Sequence, residues 1–207
     1  KPEIDLAPET DEHDAPVYEK GADNFSKFRE KKWLVPDEKD CLYIYAQTMN
    51  GKTQYGLVGC AGVSDYMNGI IKKHELTRKE KEEDRMKHVR ITNANMEPVF
   101  FTYPPVKEID DIVAGIVENQ APEYDFTSVD GFGHHFWVIN DEQTIHRLIE
   151  LFKNIPYTYV ADGHHRTAAA ALVGNEKKQH NLNHNGTEEY NFFLAVHFPA
   201  NQLTIID

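Results

Sequence analysis

The chain has 207 residues, of which 40% are hydrophobic and 27% charged, and its 34 acidic and 22 basic residues give a formal net charge of −12. This length and composition predict a globular protein of one large or two small domains, and the acidic balance disfavours a general nucleic-acid binder. The chain has two cysteines, no secretion signal and no apolar run near the ~20 residues of a membrane span, which argues against a disulfide scaffold or a membrane protein and favours the cytoplasm.

The N-terminal region is predicted to differ from the rest of the chain. Residues 1–40 form an acidic, solvated arm followed by a short helix over residues 18–31, with Phe25 and Phe28 on one side. Residues 41–207 form a mixed α/β domain with hairpins rather than a regular βαβ array.

Two hairpins and several helices are predicted from their turns and caps. The first hairpin pairs residues 42–47 with 54–60 around Asn50-Gly51, and the second pairs 124–127 with 132–139 around Asp130-Gly131. Gly56 and Gly59 indicate a bulge or a close approach of another backbone. Ser64 is expected to cap a helix that reaches about His74. Thr77 and Glu80 are expected to form a capping box for a helix over 78–90. Asp141 is expected to cap a helix that ends before Pro156. A strand over 100–103 precedes an amphipathic helix that carries Ile109, Ile112, Val113, Ile116 and Val117.

The last third of the chain is predicted to hold a buried strand over 157–161 and an alanine-rich helix that stops at Gly174. Residues 175–189 are polar and are expected to form a mobile loop or a disordered insert. Strands over 190–198 and 203–206 follow. Because a domain does not normally stop within a strand, we expect the chain to be part of a longer protein.

The most informative segment joins that strand to that helix and reads Asp162-Gly163-His164-His165-Arg166-Thr167. A strand–glycine–helix junction directs free backbone N–H groups and the positive end of a helix dipole at one point. Arg166 adds a planar, bidentate donor suited to phosphate, and Asp162 is a helix cap or a metal ligand. The sequence therefore predicts an anion-binding junction, with an ordinary solvated first helical turn as the alternative.

A second candidate lies in the basic stretch over residues 72–90. Arg78, Lys81, Arg85 and His88 follow one another at helical spacings, which predicts one cationic face. Glu75 stands beside His74 just before this helix, where a carboxylate among cations can act as a general base or a metal ligand. The alternative is a solvated face of ion pairs.

Other segments give weaker signals. Ser128 and Asp130 in YDFTSVDGFGHH can reach a ligand from a turn, but hairpin geometry explains them, and His134 and His135 alternate across a strand. The chain lacks G-x-S-x-G, H-E-x-x-H and C-x-x-C, which disfavours hydrolase, zincin and redox activities. Both cysteines, Cys41 and Cys60, are predicted to be core residues.

The strings YVADGHHRTAAA, KKHELTRKEKEEDR and YDFTSVDG, with KPEIDL, YIYAQ and FFTY, resemble a large bacterial and archaeal family of unknown function that is often labelled "SpoOJ/ParA/ParB/RepB family". The resemblance covers nearly the whole chain and implies longer members with a ParB/sulfiredoxin-like fold. Relatives of that family include nucleotide-dependent kinases of free L-serine.

This resemblance implies roles for individual residues. Gly163, His164, His165, Arg166 and Thr167 would hold the phosphates of ATP or ADP, and Asp162 would lie beside them near Mg²⁺. His74, Glu75, Arg78, Lys81 and Arg85 match the second motif and would face the same cleft, with Glu75 and Asp162 as candidate catalytic residues. The expected function is phosphoryl transfer from a nucleotide to a small hydroxyl metabolite, favoured to be free L-serine. The alternatives are a non-catalytic nucleotide- or phosphometabolite-binding module and a ParB-like DNA-partition protein.

Overall fold

The structure is a computed structural model that describes residues 2–203, with side chains from Ile4 onward. In this range one eight-stranded mixed sheet has the strand order β3-β7-β4-β8-β2-β1-β6-β5. The strands are β1 Leu42–Met49, β2 Lys52–Gly62, β3 Ile71–Lys72, β4 Val99–Tyr103, β5 Tyr124–Thr127, β6 Gly133–Ile139, β7 Thr158–Asp162 and β8 Phe192–Pro199. The α-helices are α1 Ala15–Glu30, α2 Val63–Met67, α3 Lys79–Thr92, α4 Lys107–Asn119, α5 Glu142–Lys153 and α6 His164–His180. The prediction of a mixed α/β fold is confirmed.

The helices cover one face of the sheet. Ile109 of α4 and Leu148 of α5 pack with Ile44 of β1 in one buried cluster, and Ala171 of α6 packs with Phe101 of β4 in another. α3 lies on the outer side of α6 through Met86, Ala169 and Val173, and α1 packs on α3. None of the helices in residues 2–203 has the length and apolar character to cross a membrane.

Both predicted hairpins are confirmed. Asn50 and Gly51 have φ angles of 52° and 75°, so both central residues of the β1–β2 turn are left-handed, as a type I′ turn requires. A side chain at Gly56 would place its Cβ 2.8 Å from Val196 Cγ2, so this glycine makes room for side chains of β8 and not for the bulge or the backbone approach that was predicted. Asp141 caps α5 as predicted, because its Oδ2 accepts a hydrogen bond of 2.8 Å from the Thr144 amide.

The helix predicted from Ser64 to His74 is wrong. Gly62 is the N-cap of α2, which ends at Met67, and Gly69 turns the chain with a φ of 72°. Ile71 then enters β3 beside β7 and is only 3% exposed. Burial of Ile71 in the sheet therefore outweighs the helical spacing of the apolar residues.

The predicted capping box of Thr77 and Glu80 is also wrong, although α3 lies where a helix was expected. Arg78 is the N-cap and makes no side-chain capping hydrogen bond. The Thr77 hydroxyl instead donates to Glu82 Oε2 at 2.7 Å. Arg78 thus lies outside the helix, and the cationic face of α3 begins at Lys81.

Gly174 does not end α6, and the predicted mobile loop after it is wrong. The helix continues to His180, and the loop that follows is held by amides of Asn185 and Gly186 that donate to the Glu188 carboxylate. Although burial opposes the shift, these hydrogen bonds lower the pKa of Glu188 to about 2. Leu203 lies outside any strand, and residues 204–206 of the last predicted strand are outside the described residues.

α1 buries Val17 and Tyr18, and Phe28 is 43% exposed. Two burial predictions need correction. β7 is an exposed strand in which only Val160 is buried. Cys60 is exposed and Cys41 half-buried, so neither cysteine is a core residue.

Asp84 of α3 is hydrogen-bonded to Tyr18 of α1 and to His13 just before that helix. The Tyr18 hydroxyl donates to Asp84 Oδ1 at 2.6 Å, and His13 Nδ1 lies 3.0 Å from the same oxygen. Burial alone would raise the pKa of Asp84, but the hydrogen bonds from Tyr18 and His13 outweigh it and lower that pKa.

We expect Tyr18→Phe to lower the free energy of unfolding by about 1.5–3 kcal/mol at neutral pH, because a hydrogen bond to a charged acceptor is lost. A carboxylate with a lowered folded-state pKa stabilises the protein above its unfolded pKa, and that contribution disappears as the pH falls through the folded value. The difference between wild type and Tyr18→Phe in urea unfolding should therefore shrink in acid. A difference that is independent of pH would contradict this assignment.

Candidate anion-binding site

A cavity of about 1210 Å³ lies between α1, α3 and the junction of β7 with α6. We call this space the junction cavity and residues 162–166 the junction. The predicted site residues that line the cavity are Glu75, Lys81, Arg85, His88, Asp162, Gly163, His164, His165 and Arg166. The two polar segments that were predicted separately thus converge on one cavity.

The junction has the backbone geometry of a helix N-terminus without a side-chain cap. Gly163 is the N-cap with a φ of 89°, a conformation that favours glycine. Its carbonyl accepts hydrogen bonds from the amide and the hydroxyl of Thr167, at 2.8 and 2.9 Å. The three preceding amides, of residues 164–166, have no partner within the helix, as in every first helical turn. Thr167 is fully buried, and its hydroxyl serves the helix rather than the cavity.

His164 is a buried imidazole at the edge of the cavity. It is 7% exposed, its Nδ1 lies 3.5 Å from Glu75 Oε2, and its ring packs edge-to-face on His74 at 4.5 Å. Burial, and then the neighbouring His74, lower the pKa of His164, so the ring is neutral at neutral pH. Its Nε2 is buried and has no hydrogen-bond partner among the described residues. His74 therefore contacts the site through His164 rather than by lining the cavity.

His165 connects the junction to the start of α3. The Arg78 backbone amide donates to His165 Nε2 at 3.1 Å, which places the proton of a neutral ring on Nδ1. Arg78 therefore joins the site through its main chain, and its side chain is not part of the cavity wall.

Arg166 is held by partners within the protein. Its Nη2 donates to Asp162 Oδ2 at 2.9 Å and its Nη1 to the Pro98 carbonyl at 2.7 Å, and Glu97 Oε2 lies 3.4 Å from Nη1. The guanidinium is thus oriented beside the free amides. Asp162, the predicted metal ligand, forms an ion pair with it, and residues 2–203 contain no group of three or more His, Cys, Asp or Glu side chains arranged for a metal ion.

The opposite wall of the cavity has mixed charge. Lys81 and Arg85 of α3 line it, but so do Glu80, Glu83 and Asp84. Counted over the whole lining, carboxylates outnumber lysines and arginines by seven to four. An anion would therefore be bound by local donors rather than by a positive field of the whole cavity.

Sequence reasoning missed the contribution of α1. His13 and Tyr18 form part of the cavity wall, and both bind Asp84. These residues are 66 or more positions from Asp84. No local pattern signals such a contact, because it depends on how α1 packs.

The family of this chain follows from a comparison with known protein families. The profile of the family described as "Protein of unknown function (DUF1015)" matches residues 1–207. The chain belongs to the DUF1015 family. No match was found among curated proteins or among solved structures.

Proposed function

We propose that this protein transfers a phosphoryl group from a nucleotide to a small hydroxyl metabolite, with free L-serine as the first acceptor to test. The observation that carries the proposal is the convergence of the junction, Glu75 and the α3 cations on one cavity. The choice of nucleotide and acceptor rests on what the resemblance of the sequence to its family implies.

The residues of the junction and of α3 are suited to bind a phosphate group. The free amides of residues 164–166 are donors for phosphate oxygens, and the dipole of α6 adds positive potential. The Arg166 guanidinium lies over Gly163, where a Cβ would come within 3.2 Å of its Nη2. The neighbouring Arg166 is already oriented, and Lys81 and Arg85 add charge from the opposite wall. Phosphoryl transfer depends mainly on such positioning and charge neutralisation.

ATP or ADP would bring Mg²⁺, which typically binds through one or two carboxylates and the phosphates themselves. Asp162 is the carboxylate of the junction that would hold this ion, whose charge would neutralise the phosphates. Glu75 is 65% exposed at its side chain and stands beside His164, so it can accept a proton from the acceptor hydroxyl.

A second candidate function is a non-catalytic nucleotide- or phosphometabolite-binding module. The Asp162–Arg166 ion pair favours it, because a carboxylate already paired at 2.9 Å serves to orient the guanidinium. By contrast, no observation favours a ParB-like DNA-partition protein, since α3 packs between α1 and α6 and the net charge is −12.

Purified full-length protein incubated with L-serine, Mg²⁺ and either ATP or ADP is expected to form phosphoserine, detected by mass spectrometry. Lys81→Ala and Arg85→Ala should weaken nucleotide binding, while Lys153→Ala on the remote helix α5 serves as the matched control. Nucleotide binding without any product would favour the binding module. Absence of both binding and product would contradict both candidates.

A further inference from the structure

A second pocket lies on the face of the sheet opposite the helices, away from the junction cavity. Its volume is about 230 Å³, and it is lined by Tyr45, Tyr124, Phe126, His134, His135 and Phe136. These residues come from β1, β5 and β6, which are the three strands at one end of the sheet. Tyr124 and Phe126 are 60% and 55% exposed, so the pocket opens to solvent.

The rings of this pocket stack across the strands. Phe126 stacks on His134 with a centroid distance of 5.0 Å and an angle of 23°, and His134 stacks on Tyr45 at 6.0 Å and 20°. Tyr124 contacts Phe136 at 6.1 Å. Register explains the arrangement, because Tyr124 and Phe126 pair directly with Phe136 and His134.

A chain of hydrogen bonds fixes the central ring. Tyr45 Oη lies 2.7 Å from His134 Nδ1, Ser128 Oγ lies 3.1 Å from His134 Nε2, and the Ser128 hydroxyl also donates to Asp130. Each atom of this chain has a partner if the Tyr45 hydroxyl donates to Nδ1 of a neutral His134. Nε2–H of His134 then donates to Ser128, and the Ser128 hydroxyl donates to Asp130. The pocket is thus held in shape before any ligand arrives, with a carboxylate at one end of the chain.

The aromatic lining of this pocket indicates the ligand. No lysine, arginine or carboxylate side chain among the described residues lines it. No cation–π contact in residues 2–203 involves a ring of this pocket. The lysines and arginines lie over other rings, such as Lys72 over Tyr157 and Lys73 over Tyr66. Aromatic ring faces carry negative electrostatic potential and attract organic cations. Hydrogen bonds from Ser128 and the Phe132 amide lower the pKa of Asp130, so its charge persists beside the pocket.

We propose that this aromatic pocket binds a free, small quaternary ammonium compound of the choline type. The trimethylammonium group would contact the rings of Tyr45, Tyr124, Phe126 and Phe136, and Asp130 would add long-range attraction. Binding here is independent of the phosphoryl-transfer proposal, because the aromatic pocket and the junction cavity share no residue.

The test compares choline with 3,3-dimethyl-1-butanol, in which carbon replaces the charged nitrogen at the same shape. In an NMR titration of the full-length protein, choline should shift signals of β5 and β6, and the neutral compound should bind at least about fivefold more weakly. Equal binding of the two compounds, or no binding of choline, would overturn the proposal. Tighter binding to phosphatidylcholine vesicles than to free choline would assign the pocket to a lipid headgroup and overturn the small-molecule source.

Variants separate ring electrostatics from apolar contact. Phe126→Leu keeps an apolar side chain but removes the ring, and it should weaken choline binding about fivefold. Val129→Ala changes a fully exposed residue of the same hairpin that does not line the pocket, and it should leave the affinity unchanged. Since Phe126 is itself exposed, its replacement is not expected to unfold the chain. Equal affinities of Phe126→Leu and wild type would contradict a role for the ring.

Discussion

Glu75→Gln is expected to reduce the rate of phosphoryl transfer by about 10²-fold or more while leaving nucleotide binding nearly unchanged. The carboxylate stands at the junction cavity next to the neutral His164, whereas the phosphate donors are the amides, Arg166, Lys81 and Arg85. An amide has nearly the shape of the carboxylate but cannot accept the hydroxyl proton. The measurements are steady-state phosphoserine formation and nucleotide affinity by calorimetry.

Glu118→Gln is the matched control for this experiment, because Glu118 lies exposed on α4 and does not line the cavity. It should behave as wild type in both measurements. Unchanged turnover in Glu75→Gln would show that another group accepts the proton. A parallel loss of binding and turnover would show that Glu75 organises the cavity rather than the chemistry.

Gly174→Ala is expected to lower the free energy of unfolding by about 2–3 kcal/mol, although it adds only one methyl group to a helix. The new Cβ would collide with the Tyr190 carbonyl oxygen and lie 2.9 Å from Val63 Cγ2. A backbone oxygen cannot move aside as a flexible side chain does, so α6 would have to shift away from the 3₁₀ helix at Glu189–Asn191. Urea unfolding followed by circular dichroism measures the change.

Gly115→Ala, also a substitution inside a helix, is expected to have the opposite effect on the free energy of unfolding. Gly115 also lies inside a helix, α4, but nothing stands within 4 Å of the Cβ that alanine would add. Alanine there should stabilise the protein by about 0.4–1 kcal/mol, because it reduces the conformational entropy of the unfolded chain. Destabilisation by both substitutions to the same degree would contradict the packing explanation for Gly174.

Several predictions that rested on short-range signals were confirmed, whereas the Ser64 cap and the capping box of Thr77 and Glu80 were not. The Asn50-Gly51 turn, the Asp141 cap and the amphipathic pattern of α4 each depend on a few neighbouring residues, and each is found in the structure. Predictions failed where a distant contact competed with the local signal. Ile71 joins the sheet beside β7 instead of extending α2. Gly174 lies inside α6 and leaves space for the Tyr190 carbonyl, so it does not mark the end of the helix.

In the candidate site, too, the local backbone could be predicted from the sequence, whereas the contacts between distant elements could not. The junction of a strand, a glycine and a helix N-terminus is written in consecutive residues, so the sequence identified the free amides and the neighbouring Arg166. Tertiary structure alone decided that Arg166 binds the Pro98 carbonyl, that Glu75 faces His164, and that α1 completes the wall. The reason is that backbone conformation follows largely from neighbouring residues, whereas the partner of a polar side chain depends on which distant elements pack beside it.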